Sequence, residues 1–246
     1  VAVQAMRDGK PDEATTLARR LQAKTPKEAT GFVLEGDIAA AQKRWDEAAN
    51  AYRRALALVP FSGSTAVRVH QSLLRGGKTA DAERFAGDWL TNHASDAVMP
   101  LHLADLAQAA GKSAEAEQMY RQLLQRHPNN ALALNNLACL LAVQKKKGAV
   151  ELAKKALAVS PNQPAFLDTL ALSQAAEGDI AQAVKTQTDV VRMSPNAPQF
   201  RLQLAKLHLE AGDRKAARDE LRVLAKLGDK FPQHQEVADL LKPLGG

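Results

Sequence analysis

Residues 97–130 read AVMPLHLADLAQAAGKSAEAEQMYRQLLQRHPNN, and this 34-residue stretch decides the fold. Its apolar residues recur at helical spacing on both sides of Gly111, which predicts two amphipathic helices joined by a tight turn. Gly111 can take the positive φ that ends the first helix, and Pro128 cannot continue the second. The stretch therefore predicts a helical hairpin in which the small Ala116 lets two helices approach closely.

The same pattern returns along the whole chain. An alanine equivalent to Ala116 recurs every 33 or 34 residues, at Ala14, Ala48, Ala82, Ala116, Ala149, Ala183 and Ala217. A glycine usually lies five residues before this alanine and a proline usually twelve residues after it. Such a period is typical of helix–turn–helix repeats that stack side by side. Because a stack of this kind has no closed pocket by default, we expect an extended binding surface.

The repeated pattern resembles that of tetratricopeptide repeats over nearly the whole chain. The resemblance implies an all-α fold: a right-handed superhelical solenoid of tetratricopeptide helix–turn–helix repeats with a C-terminal capping helix. We predict one solenoid over residues 1–246, with a partial repeat at 1–28, full repeats at 29–62, 63–96, 97–130, 131–163, 164–197 and 198–231, and a cap helix at 233–242. Because the first repeat opens inside its first helix, we expect the chain to be a fragment of a longer protein with further repeats upstream.

Several positions depart from the pattern. Lys43 stands where a glycine is expected, Glu35 where a leucine is usual, and His70 where a small residue is usual. The turn at residues 144–148 is one residue short. Repeats two and three are therefore expected to pack less regularly than the others.

Composition and charge exclude several classes of function. The net charge is +6, but the basic residues are spread out and only 4% of residues are aromatic, which argues against a nucleic-acid partner. No apolar run is long enough for a transmembrane segment. The single cysteine, Cys139, excludes an intrachain disulfide and is predicted to pack between helices. The lysines at 145–147 are predicted to form a solvated turn.

Catalytic and cofactor motifs are not found. Gly77-Lys78-Thr79 resembles the end of a phosphate-binding loop, but the motif requires a glycine where Ser72 stands. None of the six histidines pairs at the three- or four-residue spacing of metal ligands on one helix. We therefore predict that the chain is not an enzyme and has no metal and no cofactor.

The resemblance also implies that the first helix of each repeat lines a concave groove that suits an extended or helical peptide. The candidate partner-binding residues in it are Arg68, Gln71, Arg75, Leu101, His102, Asp105, Asn135, Asn136, Asp168, Gln203 and Lys206. Some family members hold a partner's C-terminal carboxylate with lysines and asparagines. Here the neighbouring helices offer Asp105 and Asp168 instead of lysines, so such a clamp is not favoured.

The stretches Leu134–Ala138 and Pro164–Ala171 are similar to the C-terminal arrays of bacterial tetratricopeptide lipoproteins linked to exopolysaccharide export and exosortase (PEP-CTERM) protein sorting. This similarity implies a non-catalytic scaffold for a protein or peptide partner in a bacterial envelope assembly. It further implies a periplasmic or cell-envelope location and a lipid-anchored parent. Two alternatives stay open: a cytoplasmic adaptor or chaperone-like peptide-binding module, and a helper region of an enzyme whose catalytic part lies upstream.

Overall fold

The computed structural model describes residues 2–245, with side chains from residue 4 onward. Over this range the chain forms helices and turns without a strand, and it divides into two compact units, residues 1–106 and 107–246. The all-α fold of paired helices that the period predicts is confirmed.

In the first unit, consecutive helices pack on one another, α2 on α3, α3 on α4, and α4 on α5. Short turns join them. The helices are α1 (Ala2–Arg7), α2 (Pro11–Lys24), α3 (Thr30–Ala41), α4 (Trp45–Leu58), α5 (Gly63–Arg75), α6 (Thr79–Asn92) and α7 (Val98–Ala109), of which α7 runs past the boundary between the units.

In the second unit, α9 packs on α10 and α11, and α11 on α12. Short 3-10 turns at Gly228–Lys230 and Lys242–Leu244 flank the last helix. The helices are α8 (Ser113–Arg126), α9 (Ala131–Val143), α10 (Ala149–Val159), α11 (Pro164–Ala176), α12 (Ile180–Met193), α13 (Pro198–Glu210), α14 (Arg214–Ala225) and α15 (His234–Leu241).

The recurring alanine is completely buried in every hairpin. Each of the seven has a relative exposure of 0%: Ala14, Ala48, Ala82, Ala116, Ala149, Ala183 and Ala217. Each lies in the second helix of its pair. A larger side chain would have to displace a neighbouring helix, because packed interiors leave little spare volume.

The turns inside the hairpins need a left-handed residue. Gly111 supplies it with φ +74°, as the glycine pattern predicts. Lys43, which replaces the expected glycine, takes the same conformation at φ 59°. The backbone geometry of the turn is therefore kept where the glycine is missing, at the steric cost that a side chain adds in this region.

The last hairpin is covered by α15. Phe231 and Val237, 2% and 1% exposed, pack with Leu221 and Leu224 of α14 in one apolar cluster. An uncovered terminal repeat would leave this apolar side in water. The observed bounds of α15, His234–Leu241, fall within the predicted cap at 233–242.

None of the described helices combines the length and the apolar character that crossing a membrane requires.

Candidate partner-binding surface

The residues predicted to line a groove occur on the first helices of five hairpins. We call this set the A face: Arg68, Gln71 and Arg75 on α5, Leu101, His102 and Asp105 on α7, Asn135 and Asn136 on α9, Asp168 on α11, and Gln203 and Lys206 on α13. Their role in binding stays a prediction. Their contacts within each unit decide which groups a partner would meet.

Arg68 is neutralised inside the first unit. Its Nη1 atom lies 2.8 Å and 3.0 Å from the two carboxylate oxygens of Asp37 on α3. The Tyr52 hydroxyl donates to the Asp37 Oδ1 atom at 2.7 Å. Burial raises the pKa of Tyr52, and the bond to Asp37 raises it further, so the phenol stays a neutral donor. Asp37, itself bonded to Tyr52, thus pairs with the Arg68 cation that we predicted to meet a partner.

The Arg75 side chain is exposed to solvent. Its guanidinium lies 5.5 Å from the centre of the Trp45 ring, an arrangement that favours a cation–π contact. Over the described part of the chain, no carboxylate oxygen lies within 4 Å of it. Gln71, one turn earlier, is partly buried. Arg75 is therefore the α5 cation that is open to an anionic group of a partner.

His102 pairs with His70 across two consecutive first helices. His70 Nδ1 and His102 Nε2 are 3.1 Å apart, with the rings edge to face. Burial and the neighbouring His102 lower the pKa of His70 to about 4, and burial lowers that of His102 while Asp105 opposes this effect. Both rings are therefore neutral near pH 7, so one can donate to the other.

Sequence reasoning missed this histidine pair. The two residues are 32 positions apart, which is two fewer than the repeat length. Because they lie on consecutive first helices, α5 and α7, the sequence could have indicated that they are close. The other two α7 candidates differ in exposure: Leu101 is partly buried, whereas Asp105 is exposed.

In the second unit, the two asparagines contact each other. Asn135 Nδ2 donates to Asn136 Oδ1 at 3.2 Å. The Oδ1 atom of Asn135 is buried and has no hydrogen-bond partner in the described residues. An unpaired buried acceptor is costly to the folded state.

Asp168 lies beside Cys139 and Gln187. Gln187 Nε2 donates to Asp168 Oδ1 at 2.7 Å and to the Phe200 carbonyl at 2.9 Å, which links α11, α12 and α13. Burial raises the pKa of Asp168. Burial also raises the pKa of the Cys139 thiol, and the Asp168 charge adds to this effect, so Cys139 is a neutral packing residue near pH 7.

On α13, the cation of the A face is paired with the capping helix. Lys206 Nζ lies 2.6 Å from Glu236 Oε1 on α15. Gln203 is partly buried on the same helix. The sequence pattern did not indicate the Lys206–Glu236 pair because α15 has no equivalent in the repeat.

Apolar side chains stay exposed on the first helices of both units. Val98, at the start of α7 in the first unit, is 44% exposed. Leu132, at the start of α9 in the second unit, is 54% exposed. These residues occupy the same place in the repeat, next to polar A-face groups. A partner that covered these two places would bury apolar surface.

No metal centre is formed by the residues that the structure describes, since no three His, Cys, Asp or Glu side chains come together in a suitable group.

Comparisons with known proteins agree with this architecture. Models described as tetratricopeptide repeat match residues 2–63, 101–164 and 174–242. A curated relative, the TPR repeat-containing thioredoxin TTL4 of Arabidopsis thaliana, is 33% identical over 82 residues. The match covers 33% of this chain and only 12% of that protein.

Solved structures share the fold at low sequence identity. A chain of the APC/C hetero-tetramer Cut9–Hcn1 has a TM-score of 0.70 and 15% identity, over 99% of this chain and 48% of that one. PilF of Pseudomonas aeruginosa has a TM-score of 0.64 and 18% identity, over 86% and 96%. PilW, a widely conserved type IV pilus biogenesis factor, has a TM-score of 0.54 and 19% identity, over 96% and 94%. With one model matching more than half of its residues, the chain belongs to the tetratricopeptide repeat family.

Proposed function

We propose that this chain is a non-catalytic scaffold that binds an extended or helical segment of a protein partner along the A face. Proteins of this family bind protein partners and generally act without catalysis. The observation that carries the proposal is the exposure of Val98 and Leu132 at equivalent places on the first helices. Burial of these side chains by a partner would provide affinity, and the polar groups beside them would provide register.

The polar groups that remain open differ between the units. Arg75 of the first unit can meet an anionic group, whereas the second unit offers the carboxylate of Asp168. Arg68 and Lys206 already have carboxylate partners, Asp37 and Glu236. A partner that used them would have to compete with these internal ion pairs.

Leu132→Glu tests the apolar part of the proposal. We expect wild-type protein to bind members of an array of random 12-residue peptides, and Leu132→Glu to weaken this binding by about tenfold or more, because a charge replaces a buried apolar contact. Circular dichroism checks that the fold is unchanged.

The matched control is Val159→Glu, which changes a residue of similar type, 42% exposed, on α10 of the same hairpin. It is expected to leave binding unchanged. Equal loss of binding in the two variants, or no loss in either, would contradict a role for the first-helix surface.

We further propose that the parent protein works in a bacterial envelope assembly for polysaccharide export or protein sorting, on the periplasmic side and lipid-anchored. The local similarity around Leu134–Ala138 supports this, as does the shared fold with a pilus biogenesis factor. The alternative is a cytoplasmic adaptor or chaperone-like module. Fractionation of the source cells with an antibody to this chain separates the two: recovery in the envelope fraction supports the first, and recovery in the cytosol supports the second.

A further inference from the structure

We propose that Asp168 is the specificity-determining residue of the second unit and receives a basic side chain of the bound peptide, with arginine preferred. This inference rests on the proposed peptide-binding function. It names the chemical class of partner that the surface around Asp168 selects.

The charge distribution on the first helices singles out Asp168. Helices α9 and α11 have 13 residues each, and Asp168 is the one charged residue in them. The cations Arg201 and Lys206 of the next first helix, α13, are paired with Glu220 and Glu236. This stretch of the A face therefore presents a carboxylate without a compensating positive charge.

The hydrogen bonding of Asp168 is incomplete for a partly buried carboxylate. Within the described residues, no Lys, Arg or His nitrogen lies within 4 Å of it, and the neutral amide of Gln187 donates to it at 2.7 Å. An ionised carboxylate can accept about four hydrogen bonds. A cation supplied by a ligand would offset the cost of removing this charge from water.

Two further acceptors without partners belong to the same region. Gln187 is fully buried, and its Oε1 atom lacks a donor, as does the Oδ1 atom of Asn135. Asn135 precedes Cys139 by one helical turn, and Cys139 lies close enough to Asp168 for the carboxylate to raise the thiol pKa. These buried acceptors add no positive charge to the surroundings of Asp168. Arginine is preferred to lysine because its planar guanidinium can pair with a carboxylate through two parallel N–H donors.

A purely structural role for Asp168 makes a different prediction. In that case the carboxylate serves only to orient Gln187, which ties α12 to the Phe200 carbonyl. The variant Asp168→Asn separates the two roles, because an asparagine Oδ1 can still accept from Gln187 while the charge is lost.

The test uses arrays of 12-residue peptides in which a central position is fixed as arginine, lysine, citrulline or glutamate and the others are random. We expect wild-type protein to favour the arginine pool over the citrulline pool by about tenfold, since a charge-assisted bond is lost with citrulline. Asp168→Asn should abolish this preference, and Asp168→Lys should shift it to the glutamate pool. The control Asp219→Asn, an exposed site on α14, should keep the wild-type preference.

The comparison of arginine with citrulline is made on wild-type protein, so it does not depend on how the variants fold. Equal binding of wild-type protein to all four pools would overturn the inference and leave the proposed function intact. A basic preference that survives in folded Asp168→Asn would also overturn it. Absence of binding to every pool would overturn both the inference and the proposed function.

Discussion

At the scale of single residues, His70 shows how a departure from the repeat creates a property that the pattern does not contain. A small residue is usual at this position, but here an imidazole is 3% exposed and lies against His102. A buried ring of this kind resists protonation. The stability of the fold is therefore expected to depend on pH through this pair.

We predict that acid destabilises the protein through His70. In the unfolded chain its pKa is near 6.5, whereas burial and His102 lower it to about 4 in the folded chain. Between these values the unfolded state binds more protons, so the free energy of unfolding falls as the pH drops from about 6.5 toward 4, by at most about 1.4 kcal/mol per pH unit. Above pH 6.5 this contribution is constant.

Urea unfolding followed by circular dichroism at several pH values measures the slope. His70→Ala, which restores the small residue, should flatten it, while His208→Ala on α13 should leave it unchanged. If wild-type protein and His70→Ala lose stability in parallel between pH 6.5 and 4, His70 is not the responsible group.

At the scale of elements, the shortened turn between α9 and α10 is stabilised from a neighbouring hairpin. Helix α10 begins after Gly148 without a side-chain cap of its own. Glu177, at the end of α11, instead accepts from the backbone N–H groups of Gly148 at 3.0 Å and Val150 at 3.1 Å. The carboxylate satisfies two free donors at a helix N-terminus, where negative charge is favourable.

We predict that Glu177→Ala lowers the free energy of unfolding by about 1 kcal/mol, the usual effect of removing an N-terminal cap. Thermal unfolding followed by circular dichroism gives the change in Tm. Glu151→Ala, on α10 itself with an exposed partner Lys155, is the control and should change Tm less. Equal shifts for both variants would count against capping by Glu177.

The period predicted the elements well because it depends on backbone chemistry. Gly111 marks a turn, Pro128 lies just beyond the end of α8, and Ala116 is buried between helices, each as the pattern indicates. The contacts between side chains of different hairpins were not predictable. Arg68 with Asp37, and Glu177 with Gly148, depend on the rotamers and spacing of packed helices, which a repeat pattern does not specify.

The candidate site was predictable only as a set of positions. Equivalent places on the first helices indicated Asn135 and Asp168, and both are partly buried there. The sequence did not indicate their surroundings. Gln187, which donates to Asp168, lies on α12, the second helix of its hairpin. Likewise, Glu236 lies on α15, outside the repeat, so the repeat pattern could not predict that Lys206 is paired with a carboxylate.

At the scale of the whole molecule, a repeat array needs a covered end, because an uncovered terminal repeat exposes apolar surface to water. In the second unit, Val237 of α15 is 1% exposed and contacts the cluster of Leu221 and Leu224. Each hairpin relies on its neighbours for burial, so loss of this cover would not be compensated elsewhere in the unit.

We therefore predict that Val237→Asp releases α15 and makes the protein self-associate, because an aspartate cannot be buried in this cluster without a partner and the exposed edge of α14 is apolar. Light scattering after size exclusion should show a mass that rises with concentration. Ala238→Asp introduces the same charge one residue later, at an exposed position, and should remain as monodisperse as wild-type protein. Self-association of both variants would attribute the effect to the charge, whereas a monodisperse Val237→Asp would show that the edge of α14 does not need α15 to stay soluble.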